Sequence, residues 1–306
     1  MRIGNLALPA ARKSWGAVRS AAHGLHKMVG HGDDRPPAWE ASILDDVVFN
    51  RPWNLVVKGL RARARRVQRR PGVTIVIVNW NTHAVTRDML RAVQQFTPGD
   101  VEIMIVDNGS VDDSRQWLRS ETSVRFVPLP ANVGHAVALD IATLLSRTST
   151  VVTLDSDAVP LCENWLSRVL DPLSQDRVVL AGLQSRRNFV HPVFAGLDVE
   201  AFIAKNLSFQ VWKLPGLADE DRVWGTNCWD TGELMTSRLE PSEYEFVERT
   251  PNRVPGLPGM TVGDVVYHHG GITRATEDAD LDLTDDNYRC WRHALEQLLP
   301  AEALSA

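Results

Sequence analysis

Two carboxylates, Asp155 and Asp157, follow directly on the apolar run Val151–Leu154 in the stretch VVTLDSDAVP. Asp is a poor strand residue and is costly to bury unpaired. Either the strand ends there and the acids cap the next turn, or the pair holds a positive charge. Polar clusters also follow three earlier apolar runs: Asn79-Trp80-Asn81 after VTIVIV, Asp107-Asn108-Gly109-Ser110 after VEIMIV, and Asn132-Val133-Gly134-His135 after VRFVPL. Taken singly, each has a structural reading. Asn-Gly beside Ser is turn chemistry, Asp112 or Asp113 would cap a following helix, and Asn132-x-Gly134 fits a loop that needs positive φ. Together they carry more weight. If the strands are parallel, all four clusters share the rim at the carboxyl ends, where open α/β sheets bind ligands. That rim would make a nucleotide pocket with a metal corner. The chain has no GxGxxG after a strand, no GxxxxGK[ST] and no GxSxG, which excludes dinucleotide, P-loop and nucleophile-elbow readings. A pocket without a backbone phosphate cradle needs another neutraliser, and a divalent cation on carboxylates supplies one.

The elements that would position these residues are legible in the pattern. Val73–Val78, Val101–Val106, Val124–Leu129 and Val151–Leu154 read as strands, the first nearly continuous in β-branched residues as a strand buried on both faces must be. Thr86–Phe96, Asp113–Ser120 and Ala136–Leu145 read as intervening helices. This alternation predicts βαβ units and a mostly parallel α/β sheet flanked by helices. Further on, strands are expected at Val178–Leu183, around Val193–Leu197 and at Val262–His268, with helices at Trp229–Leu239 and Tyr288–Leu299. The acid-rich run Glu277–Asp286 lacks the Gly of a calcium loop and reads as a solvated turn.

The chain has 306 residues, 44% hydrophobic and 23% charged, ordinary globular composition that needs no disulfide or structural metal to fold. Cys162, Cys228 and Cys290 form no CxxC pair, so neither a zinc module nor a disulfide scaffold is expected. A reducing, cytoplasmic setting fits. No apolar run is long enough to span a bilayer, and the N-terminus lacks a signal-peptide pattern. The net charge of -5 hides an asymmetry: residues 1–70 carry 14 Lys and Arg against 5 Asp and Glu. Residues 1–30 could form an amphipathic helix, GHGDDRPP breaks it, and Lys58–Arg70 is the densest basic run. Two readings stand for this extension, a solvated helix face and attraction to an anionic membrane surface at the inner face of the cell envelope. Nucleic acid is disfavoured, because no aromatics interleave with the arginines. Three regions are expected: a basic, helical or partly disordered extension at 1–70, a catalytic domain at 71–275, and an acidic turn with a C-terminal helix at 276–306.

VTIVIVNWNTHAVTRDML, EIMIVDNGSVDDS, ANVGHAVALDIA and VVTLDSDAVP resemble, in order and spacing, the GT-A (Rossmann-like) glycosyltransferases of family 2. The variant is most similar to bacterial rhamnosyl- and galactofuranosyltransferase-type enzymes, and the resemblance covers about residues 73–275. It implies a metal-dependent, inverting transfer of a sugar from a nucleotide-diphosphate donor to an acceptor hydroxyl. Val78, Asn79 and Asn81 would line the nucleotide end, Asp107 would face the base beside Asn108, and Asn132 and Gly134 would flank the nucleoside. Asp155-Ser156-Asp157 matches the DxD motif, in which Asp155 touches ribose and both acids hold Mn2+ or Mg2+.

The resemblance also directs attention to Trp229-Asp230-Thr231-Gly232-Glu233, where the family has an acidic motif supplying the catalytic base. Asp230 is favoured, with Glu233 as alternate, and Asp230-x-x-Glu233 is also a capping-box pattern. His268 in YHHGGIT matches a position that completes the metal shell; His269 would point to the opposite face. His191-Pro192 resembles the acceptor-side strand and is expected to be structural. The acceptor could be a glycan, a small molecule or a lipid-linked carrier, toward which the basic extension tilts the reading. Rival readings are a non-catalytic nucleotide-sugar-binding or scaffold protein, a membrane-surface adaptor, and a sugar-phosphate nucleotidyltransferase, which NWNTHAV disfavours for want of a Gly-rich loop.

Overall fold

The computed structural model describes residues 51–97, 99–210, 230–272 and 285–304. The expected helix at 1–30, the residues 38–50, Trp229 and nearly all of the acid-rich run from Glu277 lie outside the described residues. Compactness divides the chain into Met1–Val56 and Val57–Ala306. Helix α1 spans Arg51–Ala64, and everything below concerns the second unit.

A seven-stranded sheet contains β1 (Arg70–Asn79), β2 (Glu102–Asp107), β3 (Arg125–Pro128), β4 (Thr148–Asp155), β6 (Leu180–Gln184), β7 (Val190–Asp198) and β8 (Tyr244–Val247), in the order β3-β2-β1-β4-β7-β6-β8. All neighbours run parallel except β7, which is antiparallel to β4 and β6. Ile75, Val76 and Ile77 of β1 are fully buried, as covering both sheet faces requires. The flanking helices are α2 (His83–Phe96), α3 (Ser114–Ser120), α4 (His135–Leu145), α5 (Ser167–Leu173) and α6 (Val199–Ala204). In α4 every residue from Ala136 to Leu144 is buried, the condition of a helix that is apolar nearly all round. The charged exception is Asp140, whose carboxylate accepts from Ser208 Oγ, Phe209 N and Gln210 Nε2.

A second, four-stranded antiparallel sheet is built from β5 (Ala158–Pro160), β9 (Arg249–Thr250), β10 (Met260–Val262) and β11 (Val266–His268), in the order β5-β11-β10-β9. The single strand expected at Val262–His268 is therefore a hairpin. Gly263 and Asp264 both have positive φ, 55° and 60°, the conformation that reverses a tight hairpin. The helix expected at Trp229–Leu239 is shorter, α7 at Glu233–Ser237, because Gly232 at φ +91° cannot sit inside a right-handed helix. At the C-terminus α8 (Asp285–Leu298) and α9 (Ala301–Leu304) pack on the main core through Trp291, Leu295 and Ala303.

The basic run is partly absorbed by the fold. Arg61 is buried and donates to the carbonyls of Phe202 and Leu207, and Arg69 pairs with Glu200 at 2.8 Å. Lys58, Arg63, Arg65 and Arg66 stay exposed. Among the described residues, no helix is long and apolar enough to cross a membrane.

Candidate active site

Strand register brings the polar clusters level. Val78 lies opposite Asp155, Asn79 opposite Asp107, and Asp107 opposite Pro128. The clusters then bond to one another. Asn79 is fully buried; its Oδ1 accepts from the hydroxyls of Thr82 and Thr86, and its Nδ2 donates to Ser110 Oγ and Asp107 Oδ1. That exhausts the capacity of one amide. Asp107 accepts from Ser110 N and pairs with Arg115 Nε at 2.5 Å. Arg115 also donates to the Leu129 carbonyl. Asn108 Nδ2 donates to Asn132 Oδ1, and Asn108 Oδ1 accepts from Val133 N. Asn81, held at φ 51°, accepts from Val111 N. Asn79 and Asp107 thus act as struts beneath the strand tips, while Asn81 is half-buried and Asn132 and Gly134 are exposed.

The acidic pair sits where the two sheets meet. Asp155 ends β4 in the large sheet, and Ala158 begins β5 in the small one. Pairing of β5 with β11 sets His268 opposite Ala158, and His269 N donates to the Asp157 carbonyl at 3.0 Å. His268 Nε2 therefore lies 3.3 Å from Asp157 Oδ1 and 3.7 Å from Asp155 Oδ2. One ligand atom from each of the three falls within 4.8 Å of the others. His269 turns away, its Nδ1 2.9 Å from the Tyr267 hydroxyl and its ring edge-on to Trp291.

Electrostatics match this arrangement. Burial opposes the Asp157 anion, yet His268, through charge and hydrogen bond, holds its pKa below the ordinary carboxylate range. Burial likewise opposes charging His268, but Asp157 and Asp155 raise its pKa. Burial dominates at His269 and lowers it. Among the described residues the two carboxylates have imidazole partners, His268 and His135, and no Lys or Arg. Two hard oxygen donors and one imidazole fit a divalent cation such as Mn2+ or Mg2+.

Asp230 and Glu233 separate clearly. Glu233 pairs with Arg187 and accepts from Asp230 N at 2.8 Å, the reciprocal half of a capping arrangement. Asp230 Oδ1 accepts from Thr231 N, and Oδ2 faces His191 Nε2 at 3.8 Å. His191 also feels the charges of Asp155, His268 and His135, while burial lowers its pKa. His191, His135, Arg115 and Arg187 were not singled out from the sequence as site residues. His135 stands directly after Asn132-x-Gly134, a position that could have flagged it.

Residues 74–228, half of the chain, match the family model described as "Glycosyl transferase family 2". The chain belongs to glycosyl transferase family 2. Its large sheet is mostly parallel and flanked by helices. Asp230, Glu233 and His268 lie beyond the matched segment and join the site through the fold. A curated relative, the teichoic acid poly(glycerol phosphate) polymerase of Staphylococcus epidermidis, is 28% identical over 141 residues, 44% of this chain and 19% of that protein. The chain thus spans about a fifth of that relative's length. Among solved structures, a mannosyltransferase from Pyrobaculum calidifontis in complex with GDP-Man and Mn2+ is 20% identical with a TM-score of 0.40, covering 52% of this chain and 57% of that one. Glucosyl-3-phosphoglycerate synthase from Mycobacterium tuberculosis in complex with phosphoglyceric acid is 16% identical with a TM-score of 0.43, covering 63% and 73%.

Proposed function

We propose that this chain is a glycosyltransferase that moves a sugar from a nucleoside-diphosphate donor to an acceptor hydroxyl, with inversion, using Asp230 as base. The observation carrying this reading is the convergence of Asp155, Asp157 and His268 within 4.8 Å at the sheet rim, with no basic partner for the acids among the described residues. These three residues would hold Mn2+ or Mg2+, which when bound supplies Lewis-acid stabilisation of the departing diphosphate. Asn81, Asn132 and Gly134, with Val78 behind them, would receive the nucleoside, and Asp155 would also reach its ribose. Asn79, Asp107 and Asn108 would keep that pocket in shape.

Asp230 Oδ2 is the carboxylate oxygen left open by the hydrogen bond from Thr231 to Oδ1. It would take the proton from the acceptor hydroxyl as the acceptor oxygen bonds to the anomeric carbon and the bond from that carbon to the diphosphate breaks. Glu233 is committed to Arg187 and to the Asp230 backbone, which favours Asp230 over its alternate. Residues 71–275 would form the catalytic region. The exposed cations of the basic run, Lys58, Arg63, Arg65 and Arg66, would draw the protein to an anionic membrane surface and a lipid-linked acceptor.

The test is thermal shift and diphosphate release across UDP-, GDP- and dTDP-sugars, with and without Mn2+. Wild type should gain stability with one donor in the presence of Mn2+ and release its nucleoside diphosphate. Asp157→Ala should lose the Mn2+-dependent shift; Asp230→Asn should keep the shift and lose turnover. Metal-independent binding, or full turnover in Asp230→Asn, would overturn the reading.

A further inference from the structure

The strand that carries His191 is not regular. Along β7, Ala195 pairs with Gly182 of β6, but the next β6 residue, Leu183, pairs with His191. Pro192, Val193 and Phe194 are therefore extruded from that ladder. Pro has no N–H to donate and is tolerated at such a bulge, and bulges re-aim side chains beside active sites. The bulge is tied down from the other side, where Thr153 Oγ1 donates to the Pro192 carbonyl at 2.7 Å.

The bulge also fixes the imidazole. Val193 N donates to His191 Nδ1 at 3.3 Å, so Nδ1 is an acceptor and the ring proton resides on Nε2. That nitrogen faces Asp230 Oδ2 at 3.8 Å. The Phe189 ring, 5.9 Å from the imidazole, flanks it.

The loop bearing Asp230 is anchored to the same strand end. Val190 N donates to Thr236 Oγ1 at 3.0 Å. Gly232, at φ +91°, sits so close to the Val190 carbonyl that a Cβ would lie 2.5 Å from it. Two backbone anchors thus hold Asp230 and His191 in fixed relation.

We infer that His191 is a positioning residue: its Nε2–H, set by the β7 bulge, orients the Asp230 carboxylate toward the acceptor side. Thr231 N donates to one carboxylate oxygen, and His191 Nε2–H faces the other at 3.8 Å, a dipolar contact beyond hydrogen-bond length that biases the rotation of the plane and leaves that oxygen able to take a proton. The inference rests on Asp230 being the base.

Two measurements separate the failure of this inference from the failure of that reading. The first needs no substrate. In the full chain labelled with 15N-histidine, the resonance lost in His191→Gln is assigned to His191. It should show an unprotonated Nδ1 and a protonated Nε2, and Asp230→Asn should shift it. An Nδ1–H tautomer, or no response to Asp230→Asn, overturns the inference whatever the turnover.

The second measurement is nucleoside-diphosphate release from the donor selected by the thermal screen. His191→Leu should lower kcat by about 10- to 100-fold with the donor KM unchanged. His191→Gln retains a side-chain N–H at the Nε2 position and should return kcat to within a few-fold of wild type. Equal loss in Leu and Gln, or a loss confined to KM, overturns the positioning role. A wild-type protein that turns over no donor sinks the transferase mechanism, and the NMR result then decides the His191–Asp230 relation alone.

Discussion

Asp140 should make stability fall as pH rises through about 6. Its carboxyl is fully buried, and burial lifts its pKa from 3.8 to about 6, against the opposing pull of Ser208, Phe209, Gln210 and Arg61. At roughly 1.4 kcal/mol per unit this corresponds to about 3 kcal/mol. The folded pKa lies above the unfolded one, so the contribution is fully present below about pH 4 and lost as pH rises through about 6. Other carboxylates titrate in the same range, so the quantity to measure is a difference. Urea unfolding of wild type and Asp140→Asn, from pH 4 to pH 8, isolates the group, since the amide does not ionise. The substituted amide would set its own N–H groups against three donors and cost stability at every pH. That cost is constant, whereas wild type minus variant should shrink by about 2–3 kcal/mol between pH 4 and pH 8, the unfolded carboxyl being already about half ionised at pH 4. A flat difference, or one that grows with pH, would show that the three hydrogen bonds outweigh desolvation and refute the reasoning.

Three further outcomes follow from the same contacts. Glu233→Gln removes the Arg187 ion pair; unfolding should show a loss of about 1–3 kcal/mol, with turnover reduced rather than abolished because Asp230 remains. Gly232→Ala must place a methyl 2.5 Å from the Val190 carbonyl at φ +91°. It should cost at least about 1–3 kcal/mol and depress kcat more than donor affinity. Arg61→Met strands the carbonyls of Phe202 and Leu207 and should lower stability by roughly 2–3 kcal/mol without changing the donor-induced thermal shift.

The large sheet was readable because strands buried on both faces must be apolar throughout. VTIVIV and VEIMIV announce themselves, and each polar tip marks the rim. What each tip does was not readable. Asn79 and Asp107 look like ligand contacts in a linear motif, yet internal partners saturate or bind them. Residue type cannot distinguish an amide that meets a nucleotide from one that pins two strands. The same limit leaves Asp230 and Glu233 open in the sequence, and the Arg187 pairing of Glu233 is visible only in the fold. The Val262–His268 hairpin differs, because its reversal is written in the sequence. Gly263-Asp264 is a turn signal inside an apolar run, and it was legible.

His268 and His191 reach the acids by opposite routes, and the contrast bears on why the resemblance gives His268 a site role and His191 a structural one. His268 arrives by regular pairing: the chain leaves the large sheet at Asp155, enters the small one at Ala158, and β11 pairs in register beside it. A short strand closing on another keeps constant offsets, so a linear pattern can encode it. His191 arrives by an irregularity. With regular pairing Leu183 would meet Phe194, but the ladder jumps to His191. Strand alternation cannot foresee a jump, because a shift of pairing re-aims every side chain beyond it. If the bulge exists to aim His191, filling Gly232 or breaking the Thr153–Pro192 contact should disturb the Asp230 side of the site while leaving the Asp155–Asp157–His268 cluster intact. Thr153→Val tests this without touching either carboxylate cluster. It should reduce kcat and leave the Mn2+-dependent donor shift in place; loss of both together would mean that the two halves of the site are one packing unit.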